Sequence, residues 1–84
     1  MSKYYVYVLV SKKDHSTYIG YTEDINKRLK EHNQGKTKSI KHKLPMVLKY
    51  IEEYDNKTLA RKRELALKQN SSAKEKLFSQ IFKK

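Results

Sequence analysis

A handful of residues in this chain could do chemistry, and their spacing groups them. Arg28 and His32 stand four positions apart in Asn26-Lys27-Arg28-Leu29-Lys30-Glu31-His32, a stretch with helical character, so both fall along one edge of the same helix face. A guanidinium is permanently charged and forks onto two phosphate oxygens, while an imidazole titrates near neutrality and can move a proton. Glu64 shares a helix face with Ala60 and Leu67, an unusual setting for a carboxylate in a chain with 9 acids. Tyr7 and Tyr18 lie 18 − 7 = 11 positions apart on short alternating segments, and Gly20 follows the second. Hydrolysing a phosphodiester needs an activated water, a cation for the charge that builds on the phosphoryl oxygens and help for the departing oxyanion. These residues offer each part.

Each also has a plainer reading. Arg28 is one of 20 Lys and Arg residues, and His32 at a helix end reads as a solvated cap. Glu64 followed by Lys68 at i+4 is ordinary helix decoration, the reading that periodicity alone favours. Tyrosine is a strand former, and most of the 7 are packing residues. Gly20 serves equally as a strand-end bend or as a point of close backbone approach to a substrate or to the first helix.

Composition narrows the classes. At 84 residues the chain reads as one domain, 1–84, of the size that buries only about 60% of its unfolded surface. Cysteine is absent, so a metal must be held by oxygen or imidazole. No apolar run approaches the ~18 residues of a membrane span, and Met1-Ser2-Lys3-Tyr4 lacks a signal-peptide core. A soluble cytoplasmic protein with no membrane partner is expected. The formal charge of +11 points to a polyanion. A compact body with that excess attracts nucleic acid by releasing condensed counterions.

The elements that must position these residues are short. Lys3 to Val10 alternates as a strand, with Tyr5, Tyr7 and Leu9 on one face and Tyr4, Val6, Val8 and Val10 on the other. A polar turn over 11–16 leads to a second strand, Thr17 to Tyr21, in an antiparallel hairpin. Thr22 or Asp24 caps a helix running to about Asn33, Ile25 and Leu29 form its apolar stripe, and Gly35 stops it. Lys36 to Lys43 reads as a mostly structureless connection whose Lys36, Lys38, Lys41 and Lys43 suit phosphate contact better than core packing. Met46 to Tyr54 is a third alternating strand, Met46, Leu48, Tyr50 and Glu52 opposing Val47, Lys49, Ile51 and Glu53. Asp55 or Asn56 caps a second helix through Gln69, and Ser72-Ala73-Lys74-Glu75 reads as the capping box of a third, with Leu77, Phe78, Ile81 and Phe82 on its core face. The fold class is α/β (α+β), a small three-stranded antiparallel sheet flanked by three helices.

In this order and spacing the motifs resemble the GIY-YIG nuclease superfamily, in its small single-domain members. Tyr5-Val6-Tyr7 stands where the family often has Gly-Ile-Tyr, and Tyr18-Ile19-Gly20 matches the second half-motif unaltered. The stretch from Asn26 to His32 looks like its following helix, and Ala60 to Lys68 like a later one with Glu64 at the family's metal position. The resemblance implies a DNA endonuclease using Mg2+ or Mn2+, with a place in DNA repair or recombination. It implies Glu64 on the metal, Arg28 on the scissile phosphate, Tyr7 on the attacking water, and Tyr18 and His32 aiding orientation and proton transfer. The family's asparagine beyond the glutamate is not carried over, because Asn70 is only 70 − 64 = 6 positions on, at an expected helix break. Larger relatives are expected to continue into target-choosing domains where this sequence ends, so specificity is expected from DNA structure, from a protein partner, or not at all. Two other readings keep the scaffold and charge: a catalytically inactive nucleic-acid-binding module, and a basic ribonucleoprotein subunit that prefers RNA and needs no metal.

Overall fold

A computed structural model describes residues 3–82, the Ser39 side chain excepted. In chain order it contains strands β1 (Tyr4–Ser11) and β2 (Thr17–Thr22), helix α1 (Ile25–Asn33), a short 3-10 segment (Lys38–Lys43), strand β3 (Met46–Tyr54), and helices α2 (Lys57–Gln69) and α3 (Ser71–Ile81). The strands form one antiparallel sheet in the order β2-β1-β3. Three antiparallel strands with three helices is the fold class read from the sequence.

β1 is central because both of its faces are apolar. Val6 and Val8 enter a core with Ile19, Ala60, Leu67 and Leu77 under α2 and α3. Tyr7 and Leu9 enter a second core with Ile40 and Met46, closed by Ile25 and Leu29 of α1. The pairing sets Tyr7 between Gly20 on β2 and Ile51 on β3. The expected alternation of β3 breaks at one point: Val8 pairs with Tyr50 but Leu9 with Leu48, leaving Lys49 as an extra residue in a bulge. Leu48 and Ile51, three apart, therefore lie in register with Leu9 and Tyr7 on one face.

Local chemistry fixes α1 at both ends. Asp24, not Thr22, is the cap, its carboxylate accepting from the Lys27 N–H at 3.0 Å. Beyond the helix, Gly35 takes φ +82 while the Lys36 N–H reaches the Glu31 carbonyl at 3.2 Å and the Gly35 N–H the His32 carbonyl at 3.1 Å. The Asn33 amide then bonds both main-chain groups of Met46, donating to its carbonyl at 3.0 Å and accepting from its N–H at 2.8 Å. That bond pair clips the end of α1 to the start of β3.

Two expectations are corrected. The 36–43 connection is not structureless: residues 38–43 wind into the 3-10 segment, and Ile40 is buried against Tyr7, Leu9 and Met46. An isoleucine amid lysines drops into the core because the sheet face beneath α1 would otherwise stay open. The third helix begins at Ser71, capped by Asn70, whose side chain accepts from the Ala73 N–H at 3.2 Å. Asn70 also ends α2, so it displaces the Ser72 box.

Besides core packing, one carboxylate ties α2 to the sheet. Glu52 accepts from the Tyr54 hydroxyl at 2.6 Å, the Tyr50 hydroxyl at 2.7 Å, and Arg63 of α2 at 3.0 Å and 3.1 Å. Burial works to raise the Glu52 pKa, but Arg63 and the two hydroxyls outweigh it and hold the carboxyl below its usual range. A depressed folded pKa gives stability that is present above the unfolded value, about 4.3, and is lost as pH falls through the folded one. Glu52→Gln should cost on the order of 1–3 kcal/mol in urea unfolding at pH 7. The same substitution should flatten the loss of stability between neutral and strongly acidic pH. An unchanged acid profile in the variant would remove Glu52 from that role.

Candidate active site

The site is built around Tyr7, which is fully buried, with its ring crossing the backbone of its cross-strand partner Gly20. A Cβ at Gly20 would stand 2.7 Å from Tyr7 Cζ and closer still to its hydroxyl oxygen. A strand-end bend is not needed to explain this glycine: within the fold, what comes near it is the Tyr7 ring itself. Crossing there carries the phenol to α1, where its oxygen lies 2.9 Å from His32 Nε2.

His32 is 0% exposed, so it is not the solvated cap its helix-end position suggests. Its second nitrogen, Nδ1, is 2.6 Å from the Thr37 hydroxyl. Tyr18 closes the group by ring contact: its centroid is 4.9 Å from that of His32, edge to face, and 6.4 Å from that of Tyr7. Arg28 stands one turn back on α1 and pairs with Glu31 at 3.5 Å. Glu64 is 8% exposed on the inward face of α2, and its Oε2 accepts from Lys68 Nζ at 3.2 Å, with the same ammonium 5.8 Å from the Tyr18 ring centroid. The i+4 pairing expected of a surface glutamate is thus present, but on a buried carboxylate.

Electrostatics pushes the two central groups apart. Burial raises the Tyr7 phenol to about 12, Arg28 beside it pulls the other way, and Tyr18 and Glu64 add to the rise. Burial lowers the His32 pKa, Arg28 lowers it further, and Glu31 opposes them weakly. Arg28 itself is raised, chiefly by Tyr7. A neutral phenol and a neutral imidazole in hydrogen-bond contact beside a fixed cation form an arrangement suited to proton movement at an anionic substrate.

Tyr7, Tyr18, Arg28 and His32 therefore come together, with Glu64 near enough for its charge to act on Tyr7. The lysines divide: Lys36, Lys38 and Lys41 are exposed, whereas Lys43 is half-buried and its carbonyl accepts from the Ser11 hydroxyl at 2.6 Å. Sequence spacing missed Thr37 and Asn33. Thr37 stands five positions beyond His32, and only the reversal at Gly35 brings it back.

Among the described residues no three His, Asp, Glu or Cys side chains gather as a metal cage. Glu64 still fits a hard divalent cation: it is an oxygen donor that already accepts one cation, the Lys68 ammonium, at a single oxygen. One carboxylate with retained waters and substrate phosphate is a sufficient magnesium set.

A family model described as the GIY-YIG catalytic domain matches residues 3–77, and the chain belongs to the GIY-YIG family. Within it, the similar proteins are UPF0213 proteins, a small single-domain family. One from Staphylococcus saprophyticus is 44% identical over 95% of this chain and 99% of its own. One from Streptococcus pyogenes is 41% identical over 89% of this chain and 82% of its own. The solution NMR structure of a UPF0213 protein from Bacillus halodurans is 35% identical and superposes with a TM-score of 0.57, covering 92% of this chain and 83% of that one.

Gly20→Ala should break the group without touching any of its side chains. The Tyr7 ring is fully buried and has nowhere to yield, so roughly 1–3 kcal/mol of stability should be lost. NMR of the His32 ring should show Nε2 losing its phenol partner; unchanged ring shifts would mean that Tyr7 is not held where described.

Proposed function

We propose that this chain is a metal-dependent endonuclease that hydrolyses DNA phosphodiester bonds as a single domain over 1–84. The observation that carries the reading is the buried contact of the Tyr7 hydroxyl with His32 Nε2 beside Arg28. Family membership points to nuclease chemistry in general, and the charge of +11 supports a nucleic-acid substrate. DNA, a cytoplasmic setting, a role in repair or recombination and a specificity-giving protein partner belong to the same proposal.

In this reading Arg28 clamps the phosphate and stabilises the charge that develops on its oxygens. Tyr7 takes the proton of the attacking water and passes its own to His32 Nε2, so His32 serves the proton path while Tyr18 fixes the imidazole plane from the side. Glu64 would hold a magnesium or manganese ion, which when bound adds Lewis-acid stabilisation of the phosphoryl charge. A phenol at about 12 is a poor base unless cations draw it down; Arg28 is the cation this chain supplies. Lys36, Lys38, Lys41 and Lys43 would track the phosphate backbone around the site.

Nicking of supercoiled plasmid and of a branched duplex, with Mg2+ or with EDTA, tests the proposal. Wild type should cut only with the metal, and Glu64→Gln should lose at least about 100-fold in rate while still binding DNA. Equal cutting by both proteins would place the metal elsewhere. Salt-sensitive binding with no cutting by either would favour the inactive binding module. Neutralising the four lysines together should weaken binding alike across duplex sequences and flatten its salt dependence. Sequence-selective losses would count against a backbone-tracking role.

A further inference from the structure

Among the described residues His32 is fully buried with both ring nitrogens engaged by hydroxyls, those of Tyr7 and Thr37, and the second hydroxyl has been given no role. Thr37 occupies the N-cap of the 3-10 segment. A threonine there ordinarily turns its hydroxyl to a backbone N–H of the following turn. Here it makes no such bond, and its oxygen lies 2.6 Å from His32 Nδ1 instead. Its carbonyl, meanwhile, keeps the local structure intact by accepting from the Ile40 N–H at 3.2 Å. The hydroxyl has been withdrawn from the helix end and committed to the imidazole.

We propose that Thr37 is a positioning residue that holds His32 in the tautomer with bare Nε2 towards Tyr7, and that its hydroxyl is the outlet for the Tyr7 proton. The inference rests on the nuclease reading for its consequence, though not for its geometry. A neutral imidazole carries one proton. With that proton on Nδ1, donated to Thr37 Oγ1, the Tyr7 O–H donates to Nε2 and the phenol is ready to release. With the proton on Nε2, the phenol oxygen accepts instead, and its proton has no route into α1.

The outlet follows from what surrounds the ring. Facing His32 are Arg28 and Glu31 of α1, Tyr7 of β1, Tyr18 of β2 and Thr37. Burial and the Arg28 charge oppose a doubly protonated ring, so a proton arriving at Nε2 must be matched by one leaving Nδ1. Thr37 can take it, because a hydroxyl accepts and donates at once and this side chain is half-buried, not sealed. In the step, the Tyr7 O–H bond breaks as Nε2–H forms, Nδ1–H breaks as a new Oγ1–H forms, and the original hydroxyl proton leaves to water. The phenolate takes a proton from the attacking water as the resulting hydroxide oxygen bonds to phosphorus and the P–O bond to the leaving strand breaks, the departing oxygen taking a proton from water. One proton passing back along the path after turnover restores the first tautomer. A carboxylate on Nδ1 would hold the ring as firmly, but would stabilise the charged imidazolium; the neutral hydroxyl does not.

The competing account is that Thr37 merely satisfies a buried nitrogen. Nitrogen-15 spectra of the His32 ring, with Thr37→Val and Thr37→Ser beside wild type, separate the two. Wild type and Thr37→Ser should show the proton on Nδ1, and Thr37→Val should move it to Nε2, because valine keeps the shape and offers no acceptor. Cleavage by Thr37→Val at neutral pH should fall on the order of 100-fold with DNA affinity unchanged, the deficit narrowing as pH rises, and Thr37→Ser should cut like wild type. A wild-type ring protonated at Nε2 would overturn the proposal without recourse to any variant. So would Thr37→Val cutting at the wild-type rate across the pH range, or keeping its proton on Nδ1. Wild type that binds DNA but never cuts would sink the nuclease reading alone, since the ring spectra would still decide whether Thr37 sets the tautomer.

Discussion

The passage of the Tyr7 ring over Gly20 is the contact on which the remainder depends. It takes a side chain from the middle strand and delivers its hydroxyl to α1, whose histidine in turn reaches the loop beyond. Sheet, helix and loop are thereby joined through two rings and two hydroxyls, with no buried side-chain polar atom left without a partner among the described residues. Burying such groups is costly unless every one is satisfied, and a fully satisfied network selects a single arrangement of its parts. The helix stop at Gly35 and the Asn33 clip to Met46 belong to the same solution. They decide where α1 ends and therefore where the chain returns.

The charged groups divide into those that hold the frame and those that face outward. Glu52 is saturated by Arg63 and two tyrosines, which sets how α2 rolls against the sheet. Because Arg63 precedes Glu64, that roll also turns Glu64 inward, about 100° round the helix from its neighbour. Lys68, the ion-pair partner of Glu64 among the described residues, has its side chain 44% exposed.

Much of this was legible in the sequence, and the misses share a cause. Alternation in β1 gave both faces correctly, because period two needs no knowledge of partners. The spacing of Arg28 and His32 gave their common edge for the equivalent reason in a helix. The bulge at Lys49 was hidden, since an inserted residue changes register only relative to another strand. Ile40 was hidden among lysines, where one apolar residue in a basic run has no periodicity to announce it. Thr37 was hidden more thoroughly: its bond to His32 exists only after Gly35 has reversed the chain. The family resemblance supplied the candidate site residues, and burial of His32 and Glu64 was the part that only packing could reveal.

The sheet leaves β3 at an edge, with Val47, Leu48 and Ile51 each more than a third exposed along it. Such a strand is a template for pairing with another chain. The bulge at Lys49 roughens that template, and mutual repulsion between bodies of charge +11 opposes the approach of copies. The excess of lysine and arginine therefore guards solubility as well as attracting polyanions. Salt couples the two: raising it from 0.1 M to 1 M shortens the screening length from about 10 Å to about 3 Å. The same ions that release such a protein from nucleic acid would lift the barrier between its strand edges.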